Sequence, residues 1–205
     1  MLPIKQSSAM SALAIDVERA ITLKGRMLSG ALLAAVKDVE NRSQVWREGW
    51  YALHTGSSKP DSDLFEKVRN ACANDSQWSA VQEMAGRCPE GSIAGLVYLS
   101  HALPLASCSI SPWASGPVCH VISKVLVLEQ PVLNVKGFLG TWAMADDVAK
   151  VVREQVPRCA ITMTGAETRM PRDDNAIPAE RAAARQAKKK ERAALRSTSS
   201  AAEVF

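Results

Sequence analysis

At 205 residues, with 47% hydrophobic and 22% charged side chains, the chain is long enough for one ordinary domain with extensions and too apolar for wholesale disorder. No run of 18 or more residues is free of both charge and proline, which excludes a membrane-spanning helix. The net charge of +4 is local: Glu180 to Arg196 carries seven basic and two acidic residues, a sum of +5, which leaves the other 188 residues at −1.

Residues 1–18 read as an N-terminal extension. No long apolar run follows a basic start, so a secretory signal is not expected, and Asp16 and Glu18 argue against a mitochondrial presequence. Ile21 and Leu23 alternate with Thr22 and Lys24, which predicts a strand from Ala20 to Lys24. Met27 to Val36 reads as a buried helix in which Gly30 costs about 1 kcal/mol relative to alanine. Trp50 to His54 predicts a second strand and Gly56 to Asp61 a loop. Asp61 or Ser62 is placed to cap a helix carrying Leu64, Phe65 and Val68, which continues or restarts through Trp78, Val81 and Met84 until Cys88-Pro89-Glu90-Gly91.

Two apolar strands follow, Ile93 to Leu99 and Val118 to Leu128, with Pro131 closing the second. Val148, Val151 and Val152 mark an amphipathic helix from Ala143 to Val156, ended by Pro157, and Cys159 to Met163 reads as a last strand. Apolar density falls beyond Gly165, so the folded domain is expected over 19–165, with a basic, helix-prone or disordered tail over 166–205. The order β-α-β-α(α)-β-β-α-β, with no glycine-rich phosphate loop, argues for an α+β fold, a small curled mixed sheet flanked by helices. The five cysteines (Cys72, Cys88, Cys108, Cys119, Cys159) include no C-x-x-C pair, so reduced, mostly buried thiols are expected, and no metal or cofactor.

Two segments carry a more specific texture. The first is Lys37-Asp38-Val39-Glu40-Asn41-Arg42, then Trp46, then Gly49-Trp50-Tyr51-Ala52-Leu53-His54. The second starts at Gly91-Ser92-Ile93-Ala94-Gly95, passes Gly116-Pro117 and Gln130-Pro131, and ends in Lys136-Gly137-Phe138-Leu139-Gly140-Thr141-Trp142. In order and spacing, residues 20–156 resemble the ASCH family of PUA-like β-barrels. That family runs strand, helix, a G-x-K-x-x-E-x-R turn, a strand ending near histidine, a G-x-x-x-G strand and a closing P-x-x-x-K-G-x-x-G-x-W. Ala35 stands here for the glycine two residues before the lysine, and Ile21 to Met27 for the family's Gln-Pro-Trp-Ala; Leu2 to Gln6 is an alternative first strand.

The resemblance implies a small PUA-like mixed β-barrel flanked by helices, with a cleft around Lys37, Glu40 and Arg42 that receives nucleic acid, RNA or a single strand before DNA. Lysine and arginine would attract phosphate there, and the carboxylate would accept from a base amine. If the segment is extended, Lys37 and Val39 point one way and Asp38, Glu40 and Arg42 the other. Trp46 and Trp50 offer flat faces worth about 1–3 kcal/mol per stacked base, although Trp50 in a strand also suits a core. Lys24, His54 and Lys136 complete the candidate surface. The bland alternatives stand beside these roles: an ion pair for Glu40 and Arg42, a structural donor for His54. Cys119 and His120, adjacent on a strand, face opposite sides.

In the tail, Lys188, Lys189, Lys190 and Arg192 supply salt-sensitive phosphate attraction or a localisation signal. The expected protein is intracellular, cytoplasmic or nuclear with an organelle left open, with a protein complex as a further partner and no membrane. Two other functions compete. Some relatives of the resembling family are amidohydrolases that deacetylate 4-acetylcytidine with a lysine, a threonine three residues on and a later glutamate. Here Glu40 takes the threonine's place and Ser92 to Leu99 holds no acid, leaving only a Lys37/Glu40 acid–base pair. The other is an adaptor that recruits proteins through its tail and helices.

Overall fold

In the structure, a computed structural model that describes residues 15–57, 63–173 and 175–177, the first alternating run forms strand β1 (Arg19–Lys24), with Ala20, Ile21 and Leu23 buried. Helix α1 (Arg26–Leu33) follows and ends in a Schellman motif: Val36 N–H donates to the Ala31 carbonyl (3.0 Å) and Ala35 N–H to that of Leu32 (3.0 Å). This turn needs a left-handed residue, and Ala35 supplies it at φ 56°, a conformation that favours glycine. Gly30 is explained by packing. A Cβ there would lie 2.6 Å from the Ala85 nitrogen and 2.7 Å from the Val81 carbonyl oxygen, so the glycine lets α1 meet helix α3 (Asp75–Gly86) backbone to backbone.

Strands β2 (Val39–Arg42) and β3 (Gly49–Gly56) come next, then helix α2 (Leu64–Ala71). The helical pattern restarts after Ala71 because Asn74 caps α3: its side chain accepts from Gln77 N–H (2.9 Å) while the Gln77 side chain accepts from Ala73 N–H (2.8 Å). The cap candidates Asp61 and Ser62 lie outside the described residues, as do Lys188, Lys189, Lys190 and Arg192. Strands β4 (Ser92–Pro104) and β5 (Val118–Val132) both outrun their expected spans, and β5 passes through Pro131. Then come β6 (Thr141–Ala143), helix α4 (Asp146–Gln155), β7 (Ile161–Met163) and the short helix α5 (Ala166–Arg169). On α4 the inward residues are Ala149, Val152 and Gln155; Val151, expected on the stripe, is 43% exposed.

The fold is mixed α+β. Its sheet order is β2-β5-β4-β3-β1-β6, with β7 beside β5; β1 runs parallel to β3, and β2 and β7 run antiparallel to β5. Among the described residues this is an open path from β2 to β6.

The described residues divide into two compact units. The first draws on 15–36, 50–57, 63–98 and 124–163 and has an apolar core built on Ile93, Leu96, Leu126, Leu128, Trp142 and Val152. Trp50 is half-buried against it and meets Tyr98 edge-on at 5.3 Å. The second draws on 37–49, 99–123, 164–173 and 175–177. It includes residues that sequence reading assigned to the tail. Met170 is 1% exposed and Ile177 9%, and Thr164 bonds through its N–H to Ser123 O (3.0 Å) and through its hydroxyl to Ile122 O (2.5 Å). Packing therefore continues past residue 165. Polar anchors hold this arm, which is why falling apolar density misplaced its end.

Four of the five cysteines are buried and all are free. Burial pushes the Cys88 thiol up to about 11, and the neighbouring Cys119 thiol together with burial raises that of Cys108. No described helix is long and apolar enough to cross a membrane, and no three His, Cys, Asp or Glu side chains among the described residues could hold a metal ion.

Candidate nucleic-acid interface

The Schellman turn sends the chain into Lys37-Asp38 and then into β2, paired antiparallel to β5 with Glu40 opposite His120 and Arg42 opposite Val118. Opposite residues, and residues two apart, share one face of such a ladder, so Glu40, Arg42 and His120 project together. The Glu40 carboxylate is the hub: Oε2 accepts from Lys37 Nζ at 2.7 Å and Oε1 pairs with Arg42 at 2.7 Å. Lys37 also donates to the Val39 carbonyl. Lys37 is 4% exposed and Glu40 5%, whereas the Arg42 side chain keeps 24%.

The three groups that sequence reading assigned to a cleft are thus gathered in one place, but turned chiefly on one another. Although Lys37 precedes the strand, its long side chain reaches back to Glu40, which the simple alternation of an extended segment did not anticipate. An Nζ at this burial, spent on a carboxylate and a carbonyl, is built as structure rather than as a phosphate contact.

Trp46 packs on this same face. Its ring stacks on His120 (centroids 5.2 Å apart, planes 20° apart), and the Arg42 guanidinium carbon lies 4.6 Å from the indole centroid. His120 Nε2 lies 3.1 Å from the Gln44 carbonyl. Burial holds the His120 pKa below its ordinary value, against the Gln44 carbonyl and Glu40, which raise it, and with Arg42, which lowers it further.

The opposite face of the ladder is organised by Asn41. Its amide donates to Trp113 O (2.7 Å) while its oxygen accepts from Ser115 N–H (2.9 Å) and Gly116 N–H (3.1 Å), fixing the loop before β5. Asp38, also buried, accepts from Ser111 and pairs with Arg169 at 2.7 Å.

Beyond Trp46 lies an open pocket of about 210 Å³. Val45, Trp46 and Glu48 line it from one stretch of chain, Ser100, His101 and Ala102 from β4, and Arg172, Asp173 and Ile177 from the C-terminal arm, all within the second unit. Arg172 ties the walls together, donating to Glu48 Oε2 (2.6 Å) and to the Ser100 carbonyl (2.6 Å). His101 places Nε2 2.9 Å from the Met170 carbonyl and Nδ1 2.9 Å from the Ser100 hydroxyl. Burial lowers its pKa, outweighing the Met170 carbonyl. The pocket therefore offers an aromatic ring, a carboxylate and a guanidinium around a cavity.

The remaining candidates fall in the first unit. Lys24 is exposed at the end of β1. Lys136 is exposed, with Nζ 5.6 Å from the Phe138 ring. His54 is 2% exposed; because a carbonyl can only accept, its Nε2 donates to Val135 O at 2.9 Å. Trp142 meets the His54 ring edge-on at 5.6 Å, and burial lowers the histidine's pKa. A Cβ on Gly137 would sit 2.3 Å from His54 Nδ1, so glycine is required where the loop crosses the imidazole. Trp142 lies in β6 and donates to the Thr22 hydroxyl at 3.1 Å.

Glu48, Ser100, His101 and Arg172 were not singled out from the sequence. No spacing could mark them, since Glu48 and Arg172 lie 124 residues apart. No protein-family model matches the chain, and no curated protein matches it.

Proposed function

We propose that the protein is a nucleic-acid-binding module of the ASCH, PUA-like type, and that it holds an unpaired base, of RNA before DNA, in the pocket beside Trp46. The observation that carries this reading is the open cavity walled by an indole, a carboxylate and a guanidinium. An unstacked base presents a flat π-face together with donors and acceptors on its edge, and a site of this composition complements both. Such bases are displayed by single strands, loops and bulges, which favours RNA.

Lys37, Glu40 and Arg42 then act as the scaffold that positions Trp46, not as the contact surface. Ala35 gives independent support to the family resemblance: its left-handed backbone falls where the family pattern has glycine. The barrel is part of this proposal, as the closed form of the open sheet. The hydrolase alternative requires Lys37 or Glu40 to exchange a proton with a substrate, yet the two are buried and bonded to each other.

Short single-stranded RNAs titrated into the protein test the reading. Trp46→Leu is expected to weaken binding by about 10- to 100-fold, the equivalent of the ~1–3 kcal/mol of one stacked base. Unchanged binding in a folded Trp46→Leu variant, or no binding of any RNA or DNA strand by the parent protein, would overturn it.

A further inference from the structure

Resting on that reading, we propose that the pocket selects guanine over the other bases, with the Asp173 carboxylate as the group that meets its edge.

The wall of the pocket is rich in acceptors. It contributes two carboxylates, Glu48 and Asp173, against one guanidinium, Arg172. His101 adds no charge, because burial lowers its pKa and the ring is neutral near pH 7. It adds no donor either. Its Nε2–H is committed to the Met170 carbonyl (2.9 Å), which leaves Nδ1 to accept from the Ser100 hydroxyl (2.9 Å). The single Ser100 proton goes to that nitrogen or to the Val121 carbonyl (3.3 Å), in either case within the protein. Arg172 Nη2 bridges Glu48 Oε2 and the Ser100 carbonyl at 2.6 Å each, so both hydrogens of that nitrogen serve the frame.

A ligand edge answers such a wall with donors. Among the four standard bases, guanine carries two adjacent donors on its Watson–Crick edge, N1–H and the 2-amino group, which match the two oxygens of one carboxylate. Adenine and cytosine each set an amine beside a bare ring nitrogen, and uracil sets one N–H between two carbonyls. Each of these would turn a lone pair on a carboxylate oxygen. Rejection follows from that unmet acceptor as much as selection follows from the paired donors.

The two carboxylates have different roles. Glu48 is tied across the walls by Arg172. Asp173 is exposed and opens a turn, accepting from Asn175 N–H at Oδ1 (3.0 Å) and from Ala176 N–H at its carbonyl (3.2 Å). An ionised carboxylate has about four lone-pair sites, so the bond to Asn175 orients the group and leaves capacity for a base.

The test uses seven-nucleotide single-stranded RNAs, uridine throughout except for a central guanosine, adenosine, cytidine or inosine, with the all-uridine strand as the fifth ligand. The parent protein should bind the guanosine strand about 10- to 100-fold more tightly than the adenosine, cytidine or uridine strands, the discrimination of one bidentate pair. Inosine keeps N1–H and lacks the 2-amino group, so its strand should fall between. Asp173→Asn retains an oxygen to accept from Asn175 N–H but exchanges one acceptor for an amide donor. It should remove the guanosine advantage and bring the adenosine and cytidine strands, whose edges alternate donor and acceptor, level with it or above. Equal affinity for the four bases, with Trp46→Leu still weakening them, overturns the selection while leaving the pocket in place. A preference for another base overturns it too, as does a guanosine preference that survives Asp173→Asn. Inosine bound as tightly as guanosine also overturns it, and that comparison needs no variant, so it holds whether or not Asp173→Asn folds. Failure of every strand to bind the parent protein removes the nucleic-acid reading together with this one.

Discussion

Both units bury aliphatic side chains, but among the described residues only the second also buries charged ones. In the first, Ile93, Leu96, Leu126 and Val152 are fully buried aliphatic side chains in one apolar cluster, whose loss is graded by volume. The charged side chains buried among the described residues, Lys37, Asp38 and Glu40, all belong to the second unit. There each depends on a named counter-group, and deleting one member leaves a desolvated charge. A pocket with polar walls needs such a frame, because its rims must be fixed without being filled by hydrocarbon.

The contrast can be broken most forcefully at Glu40. Glu40→Ala strands Lys37 and frees Arg42 from its anchor, and should cost about 3–5 kcal/mol in urea unfolding. Leu53→Ala in the first unit, at a fully buried site, should cost about 2–5 kcal/mol by the ordinary cavity mechanism. The two differ in what rescues them. A Glu40→Leu, Lys37→Met double change should recover most of the loss, whereas a second truncation beside Leu53 should only add to it. A double variant as unstable as Glu40→Ala alone would show that the carboxylate is not the hub.

Two mid-sized effects sharpen the comparison. Gly30→Ala would raise helix propensity on an isolated helix, yet the α1–α3 contact predicts a loss of about 1–3 kcal/mol from overpacking. Asn41→Ala should cost a similar 1–3 kcal/mol, since it leaves the Ser115 and Gly116 amides without their acceptor. Hydrogen exchange should quicken locally over 113–116 in Asn41→Ala; uniform quickening would contradict the clamp.

Much of the first unit was legible in the chain. Alternation marked β1, β-forming residues β3, an apolar run α1 and helical spacing α4, because their stability comes from apolar burial that leaves a trace in the sequence. Strand β2, Val-Glu-Asn-Arg, carries no such pattern, since of its two buried side chains Val39 is apolar while Glu40 is a charge satisfied by Lys37 and Arg42. The C-terminal arm was misread for the same reason: Arg169, Arg172 and the Met170 carbonyl hold it by polar contacts. Lys37, Glu40 and Arg42 were singled out through the family resemblance, and the structure turns them chiefly on one another. Trp46 was found too, but the pocket beyond it is assembled by topology.

Smaller effects follow. Ala35→Gly should stabilise by about 0.5–1 kcal/mol, the relief of a left-handed alanine less the added chain entropy of glycine. A drop in melting temperature would place the strain elsewhere.

Burial depresses the pKa values of His54, His101 and His120. Below the ordinary histidine value of about 6.5 the unfolded chain therefore binds more protons than the folded one. The contribution to stability is complete above that pH and is lost as pH falls toward the folded-state values. The urea midpoint should be lower at pH 5.5 than at 7.5, and less so in His120→Asn; a pH-independent midpoint would contradict the burial of these rings.

The most direct test of the pocket is amide chemical-shift mapping during titration with a short single-stranded RNA. The account predicts the largest shifts at Trp46, Glu48, Ser100, His101 and Arg172, saturating together. Binding that leaves those amides unmoved while shifting others would contradict it.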